Sequence, residues 1–63
     1  MTPTQFRTAI EKLGLSQVRT GEFLGMNPRT ARAWALGESP IPESVAKLLR
    51  LMIKLDLKPE DVK

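Results

Sequence analysis

Residues 15–37 read LSQVRTGEFLGMNPRTARAWALG, and they contain the strongest structural signals of the chain. Apolar and small side chains recur at helical spacing on both sides of a short interruption at residues 25–27. Gly25 opens the interruption and suits the left-handed conformation that commonly ends a helix. We therefore predict two short helices, about 17–24 and 28–36, joined by a three-residue turn.

The residues that flank both helices support these boundaries. Ser16 and Asn27 precede the helices, and their short polar side chains accept hydrogen bonds from N–H groups of a first helical turn. Pro28 stands at the first position of the second helix, where its missing N–H costs nothing. Gly37 follows the last residue of that helix. Two short helices joined by a glycine-containing turn predict a helix-turn-helix unit, residues 17–36.

Such a unit needs small and apolar side chains where its helices meet. Gly21 is predicted at the closest crossing of the two helices, where only a residue without a large side chain fits. Gly25 is predicted to take the positive φ of the turn. The side chains predicted to fill the shared core are Leu24, Met26, Ala31 and Trp34.

The rest of the chain predicts more helices. A first helix is predicted over about 3–13, a fourth and longest over about 42–55, and one further turn over 58–62. No segment alternates apolar and polar side chains as a half-buried strand does. The prediction is an all-α fold of four to five short helices in a single domain, residues 1–63.

The composition excludes several classes of function. The chain has no cysteine and no histidine, so it has no disulfide framework, no zinc-finger ligand set and no histidine for covalent catalysis. We expect no enzyme activity, no metal and no cofactor. No apolar run exceeds four residues, which is too short to span a bilayer, and no targeting segment is visible. We expect a cytoplasmic protein without a membrane or small-molecule partner.

The net charge of +3 is unevenly distributed. Residues 1–37 carry five basic and two acidic side chains, whereas residues 38–63 carry five of each. Arg29 and Arg32 are three residues apart and so share one face of the predicted third helix. Glu22 is the only acidic residue between Arg19 and Gly37, so little negative charge lies near them in the sequence. This distribution favours an anionic partner.

The segments LSQ (15–17), EFLGMN (22–27) and RTARAW (29–34) occur in this order, with Gly37 after them. In this order and spacing they resemble the lambda repressor/Cro-type (XRE-like) helix-turn-helix family. The resemblance covers roughly residues 4–55 and includes the start of the fourth helix. It implies a lambda repressor-like domain that regulates transcription by binding double-stranded DNA, as a dimer on a palindromic operator.

The resemblance also implies roles for individual residues. Residues 27–33 match the recognition helix, whose first turns enter the major groove. Arg29 and Arg32 are the first choice for base contacts, because a guanidinium fork fits O6 and N7 of guanine. The full set of implied base contacts is Pro28, Arg29, Arg32 and Ala33. The implied phosphate contacts are Gln17, Arg19, Asn27, Thr30 and Ser39.

This sequence departs from the family pattern at four positions. Thr20 stands where a larger aliphatic residue is usual, which predicts a thinner core beside the second helix. Pro28 replaces a side chain that often contacts a base. Glu38 and Glu43 place negative charge near the expected phosphate track, which should weaken DNA binding.

The C-terminal part has more apolar residues than a small core needs. The predicted inner stripe of the fourth helix is Val45, Leu48, Leu49 and Met52. The residues left over are Leu51, Leu55 and Leu57, with Ile53 and Val62. Because such clusters mark interfaces, we predict a two-fold homodimer through this face. Two alternatives remain open: a fold-back that covers these residues within one chain, and a protein-interaction module, such as an antitoxin-like partner.

Overall fold

The computed structural model describes residues 1–62, which form four α-helices and no strands. The helices are α1 (Pro3–Lys12), α2 (Gln17–Leu24), α3 (Pro28–Leu36) and α4 (Glu43–Lys54), followed by one 3₁₀ turn, Pro59–Asp61. The predicted all-α architecture is confirmed, and each predicted helix boundary lies within one residue of the observed one. Lys63, the last residue of the predicted domain, lies outside the described residues.

A side chain before each of α1 and α2 caps one N–H group of the first helical turn. Thr2 and Gln5 exchange hydrogen bonds: the Gln5 N–H donates to Thr2 Oγ1 (3.1 Å), and the Thr2 N–H donates to Gln5 Oε1 (3.0 Å). The N–H of Arg19 donates to Ser16 Oγ at 3.1 Å. The predicted cap at Ser16 is confirmed, and reciprocal capping fixes the start of α1.

The turn between α2 and α3 has the predicted backbone geometry. Gly25 ends α2 with φ of 69°, and the N–H of Met26 donates to the carbonyl of Gly21 at 2.8 Å. Gly21 is buried, and a Cβ atom built on it would lie 3.0 Å from the Cα of Pro28. The prediction that Gly21 lies at the closest approach of the two helices is therefore confirmed.

The core lies between α1, α3 and α4. The rings of Phe6 and Trp34 meet edge to face at its centre, with centroids 5.9 Å apart and planes at 85°. The buried apolar residues are Phe6, Ala9 and Ile10 of α1; Ala31, Trp34 and Ala35 of α3; and Val45, Ala46, Leu49 and Met52 of α4. The described residues extend 29 × 19 × 18 Å.

Two core predictions are wrong. Met26 was predicted to fill the space between α2 and α3, but its side chain is 39% exposed. The backbone of Pro28 already closes that space against Gly21, so no room remains for a methionine side chain. On α4, Leu48 is only partly buried, whereas Ala46 is fully buried. The helix therefore packs Ala46, rather than Leu48, against its neighbours.

Thr20 compensates for its small size with a hydrogen bond. Its side chain is fully buried, and its hydroxyl donates to the carbonyl oxygen of Ser16 at 2.7 Å. The buried hydroxyl therefore has a hydrogen-bond partner, which offsets the cost of removing it from water. Leu24, the other apolar residue predicted for this region, is partly buried and packs against the core.

Candidate nucleic-acid interface

The helix α3 has one face in the core and one face in solvent. Ala31, Trp34 and Ala35 are buried, whereas Arg29 and Arg32 are exposed. The helix begins at an Asn27 cap, whose Oδ1 accepts a hydrogen bond from the Arg29 N–H at 2.9 Å. The packing of three buried side chains therefore fixes the direction in which the two arginines project.

The position of α3 is fixed further by an arginine of α1. The guanidinium of Arg7 donates to the carbonyl oxygen of Ala35, in the last turn of α3, and to Thr4 Oγ1 at 3.2 Å. The last carbonyls of a helix have no partner within the helix, and a positive charge there complements the helix dipole. Sequence reasoning assigned Arg7 no role beyond its charge, because nothing in the sequence places α1 beside the end of α3.

An open groove of about 470 Å³ runs between the N-terminus of α2 and the exposed face of α3. Its lining residues are Gln17, Val18, Pro28, Arg29, Arg32 and Leu36. The structure thus brings together one of the predicted phosphate contacts, Gln17, and three of the predicted base contacts. We call this feature the α2–α3 groove.

The α2–α3 groove is positively charged. Among residues 1–62, the residues that line the groove include two arginines and no acidic side chain. The side-chain hydrogen bonds within residues 1–62 include none from the guanidinium of Arg29 or Arg32. Both groups are exposed, so their N–H donors face solvent.

The other predicted contact residues lie outside the groove. Ala33 and Thr30 are partly buried on α3, and Asn27 uses its side-chain oxygen to cap the helix. Arg19 lines a separate depression with residues of the C-terminal turn. Ser39 lines another one, between the N-terminus and the loop that follows α3. None of these five side chains is brought into the groove that Arg29 and Arg32 line.

Sequence reasoning missed two apolar groove residues. Val18 and Leu36 are each 54% exposed, yet both line the groove beside the arginines. The spacing contains a signal for Leu36 only, because it lies four residues after Arg32 and therefore on the same helix face. The sequence alone did not show that these apolar side chains stay outside the core.

The predicted interface at the C-terminus is partly exposed. Leu51 and Leu55 are 51% and 56% exposed, whereas Leu57 and Val62 are partly buried. A carboxylate oxygen of Asp61 accepts a hydrogen bond from the Lys58 N–H at 3.0 Å, which orders the 3₁₀ turn. Leu51 of α4 and Leu55, which caps the C-terminal end of α4, both stay about half exposed, so folding back within residues 1–62 does not cover them.

Two further observations bear on the class of function. Residues 1–62 contain no group of three or more acidic side chains arranged to hold a metal ion. Among the same residues, no helix has the length and hydropathy that crossing a bilayer requires.

Comparisons with protein-family models, with curated proteins and with solved structures give no significant match. The assignment of a function therefore rests on the geometry of α2, α3 and the groove between them.

Proposed function

We propose that the chain is a sequence-specific, DNA-binding regulator of transcription with a lambda repressor-like helix-turn-helix, in which α3 is the recognition helix. The observation that carries the proposal is the α2–α3 groove. It combines two unpaired arginines of α3 with Gln17 at the N-terminus of α2, and the opposite face of α3 is anchored in the core.

The proposed contacts divide into two kinds. Arg29 and Arg32 contact base edges, because each guanidinium can donate two parallel hydrogen bonds to O6 and N7 of a guanine in the major groove. Gln17 contacts a backbone phosphate, and the free N–H groups of the first turn of α2 add to the attraction of that phosphate. Base contacts give sequence discrimination, whereas phosphate contacts fix the orientation of α3 on the duplex.

The proposed active form is a homodimer in the cytoplasm. Leu51 lies on α4, and Leu55 caps the C-terminal end of α4 four residues later. Both are about half exposed, which gives a second copy an apolar face to cover. A two-fold dimer would present two copies of α3 to half-sites about one DNA turn, roughly 34 Å, apart. Such a dimer explains how a chain with so small a contact surface gains affinity.

The test is selection from a randomised duplex pool, followed by fluorescence-anisotropy titration of the enriched duplex across a salt series. We expect an enriched, symmetric site and an association constant that falls steeply with salt, because arginines displace counterions from the phosphates. Absence of binding to any duplex at low salt would contradict the proposal.

The second candidate is a protein-interaction module that uses the exposed leucines at the C-terminal end of α4 and at its cap. Fold alone does not compel DNA binding, and Leu51 and Leu55 would suit an apolar partner equally well. The same titration separates the two candidates, because an interaction module shows no salt-dependent affinity for duplex DNA and no enriched sequence.

A further inference from the structure

The walls of the α2–α3 groove include apolar side chains as well as its arginines. Val18 and Leu36 are two of the five large apolar side chains of residues 1–62 that are exposed, and Pro28, a third apolar lining residue, is exposed as well. A surface that contacted only phosphates would gain nothing from these side chains, since phosphates and their counterions stay hydrated. Their placement beside unpaired arginines indicates a partner that is anionic and also offers an apolar group.

Duplex DNA offers one such group in its major groove. The C5 methyl of thymine projects there beside the hydrogen-bonding edges of the bases, and apolar side chains distinguish thymine from cytosine by contacting it. Both features of the groove therefore have a counterpart in duplex DNA. The arginines suit guanine and the phosphates, and the apolar walls suit a neighbouring thymine methyl.

The position of each wall residue decides which one reaches a base. Pro28 is the first residue of α3 and Val18 the second residue of α2, so both lie at the N-terminal ends of their helices beside Arg29. The N-terminal residues of a recognition helix come closest to the base edges. Leu36 lies eight residues beyond Pro28, which is about 12 Å along the helix axis at 1.5 Å per residue. It therefore lies at the edge of the proposed contact between α3 and the bases.

We propose that Val18 and Pro28 form a thymine-methyl site, which makes the chain select a thymine adjacent to the guanine bound by Arg29. This inference rests on the proposed function and specifies the base that the groove recognises in addition to guanine. Val18 is then a specificity-determining residue, although its side chain is apolar and belongs to α2.

The experiment replaces thymine by deoxyuridine, one position at a time, in the duplex selected by the unmodified protein. The replacement removes only the methyl group and keeps base pairing intact. We expect one position per half-site at which binding weakens about fourfold, the value that corresponds to one apolar carbon removed from water. Val18→Ala should bind the thymine duplex more weakly and should no longer distinguish thymine from deoxyuridine at that position.

Met26→Ala is the matched control, because it truncates an exposed apolar side chain that does not line the groove. It should keep the full difference between the two duplexes at that position. Val18 is half exposed and alanine favours helices, so Val18→Ala is expected to fold like the parent chain.

The outcomes separate this inference from the proposed function. If the protein selects a duplex but tolerates deoxyuridine at every position, or if Val18→Ala keeps the thymine preference, the methyl site is wrong and DNA binding stands. If no duplex binds at low salt, both the methyl site and the proposed function are wrong.

Discussion

Gly21 and Pro28 are so close that a Cβ atom on Gly21 would lie only 3.0 Å from the Cα atom of Pro28. At this point α2 and α3 therefore meet through their backbones. The carbonyl oxygen of Met26 and the nitrogen of Pro28 would each be 3.2 Å from the same Cβ position. This contact sets the separation between Gln17 at the start of α2 and the arginines of α3. The shape of the α2–α3 groove therefore depends on a residue that does not line it.

Gly21→Ala should lower the free energy of unfolding by about 1–2 kcal/mol, because the added methyl group meets backbone atoms that cannot rotate away. Alanine gains about 1 kcal/mol in helix propensity over glycine, and this gain offsets only part of the strain. Urea unfolding followed by circular dichroism measures the difference. Glu22→Ala, an exposed change in the same helix, serves as the control, and a Gly21→Ala chain as stable as that control would refute the close approach.

Arg7→Met should also destabilise the chain, by about 1 kcal/mol, because it removes the charged donor from the Ala35 carbonyl but keeps an aliphatic stem. Arg50→Met is the matched control, since Arg50 is an exposed arginine within α4. Amide hydrogen exchange should report faster opening in the last turn of α3 for Arg7→Met alone. Equal stability and exchange for the two variants would show that the hydrogen bond adds nothing.

Arg32→Ala should weaken binding to the selected duplex by about 1–3 kcal/mol and relax discrimination at one base position. The reason is the loss of a forked donor that matches O6 and N7 of one guanine, whereas a contact to a phosphate would be the same for every sequence. Anisotropy titrations with selected and random duplexes measure both effects, with Arg50→Ala as the control. A uniform loss on both duplexes would instead assign Arg32 to phosphate binding.

The chain should sediment as a dimer at high micromolar concentration, and Leu51→Lys combined with Leu55→Lys should make it monomeric. Both side chains are about half exposed, so the charges disturb a partner's apolar surface more than the core. Ser44→Lys, an exposed change near the start of the same helix, should leave the dimer intact. If the parent chain is a monomer in sedimentation equilibrium, the proposed interface is wrong.

The helix boundaries were predictable because local interactions set them. Ser16 and Asn27 accept hydrogen bonds from N–H groups two or three residues away, and Gly25 has the positive φ expected of it. Each of these contacts joins residues that are close in the sequence, so the pattern of residue types contains them. The arginines of the groove were predictable for the same reason, since helical spacing alone places them on one face.

Contacts between distant segments were not predictable in this way. Arg7 and Ala35 are twenty-eight positions apart, and only the packing of α1 on α3 brings them together. The wrong prediction for Met26 has the same origin, because its exposure follows from the space that Pro28 occupies. Val18 is apolar but remains outside the core, and this too depends on which face of α2 its neighbours leave open.

The division of α3 into two faces also determines how readily its surface can change during evolution. Its core contacts come from Ala31, Trp34 and Ala35, while Arg29, Arg32 and Leu36 project outward. Substitutions at the three outward positions leave the packing intact, so a library randomised there should retain folded members with many different surface chemistries. A lineage could therefore exchange one target for another by single substitutions without first losing the scaffold that displays them.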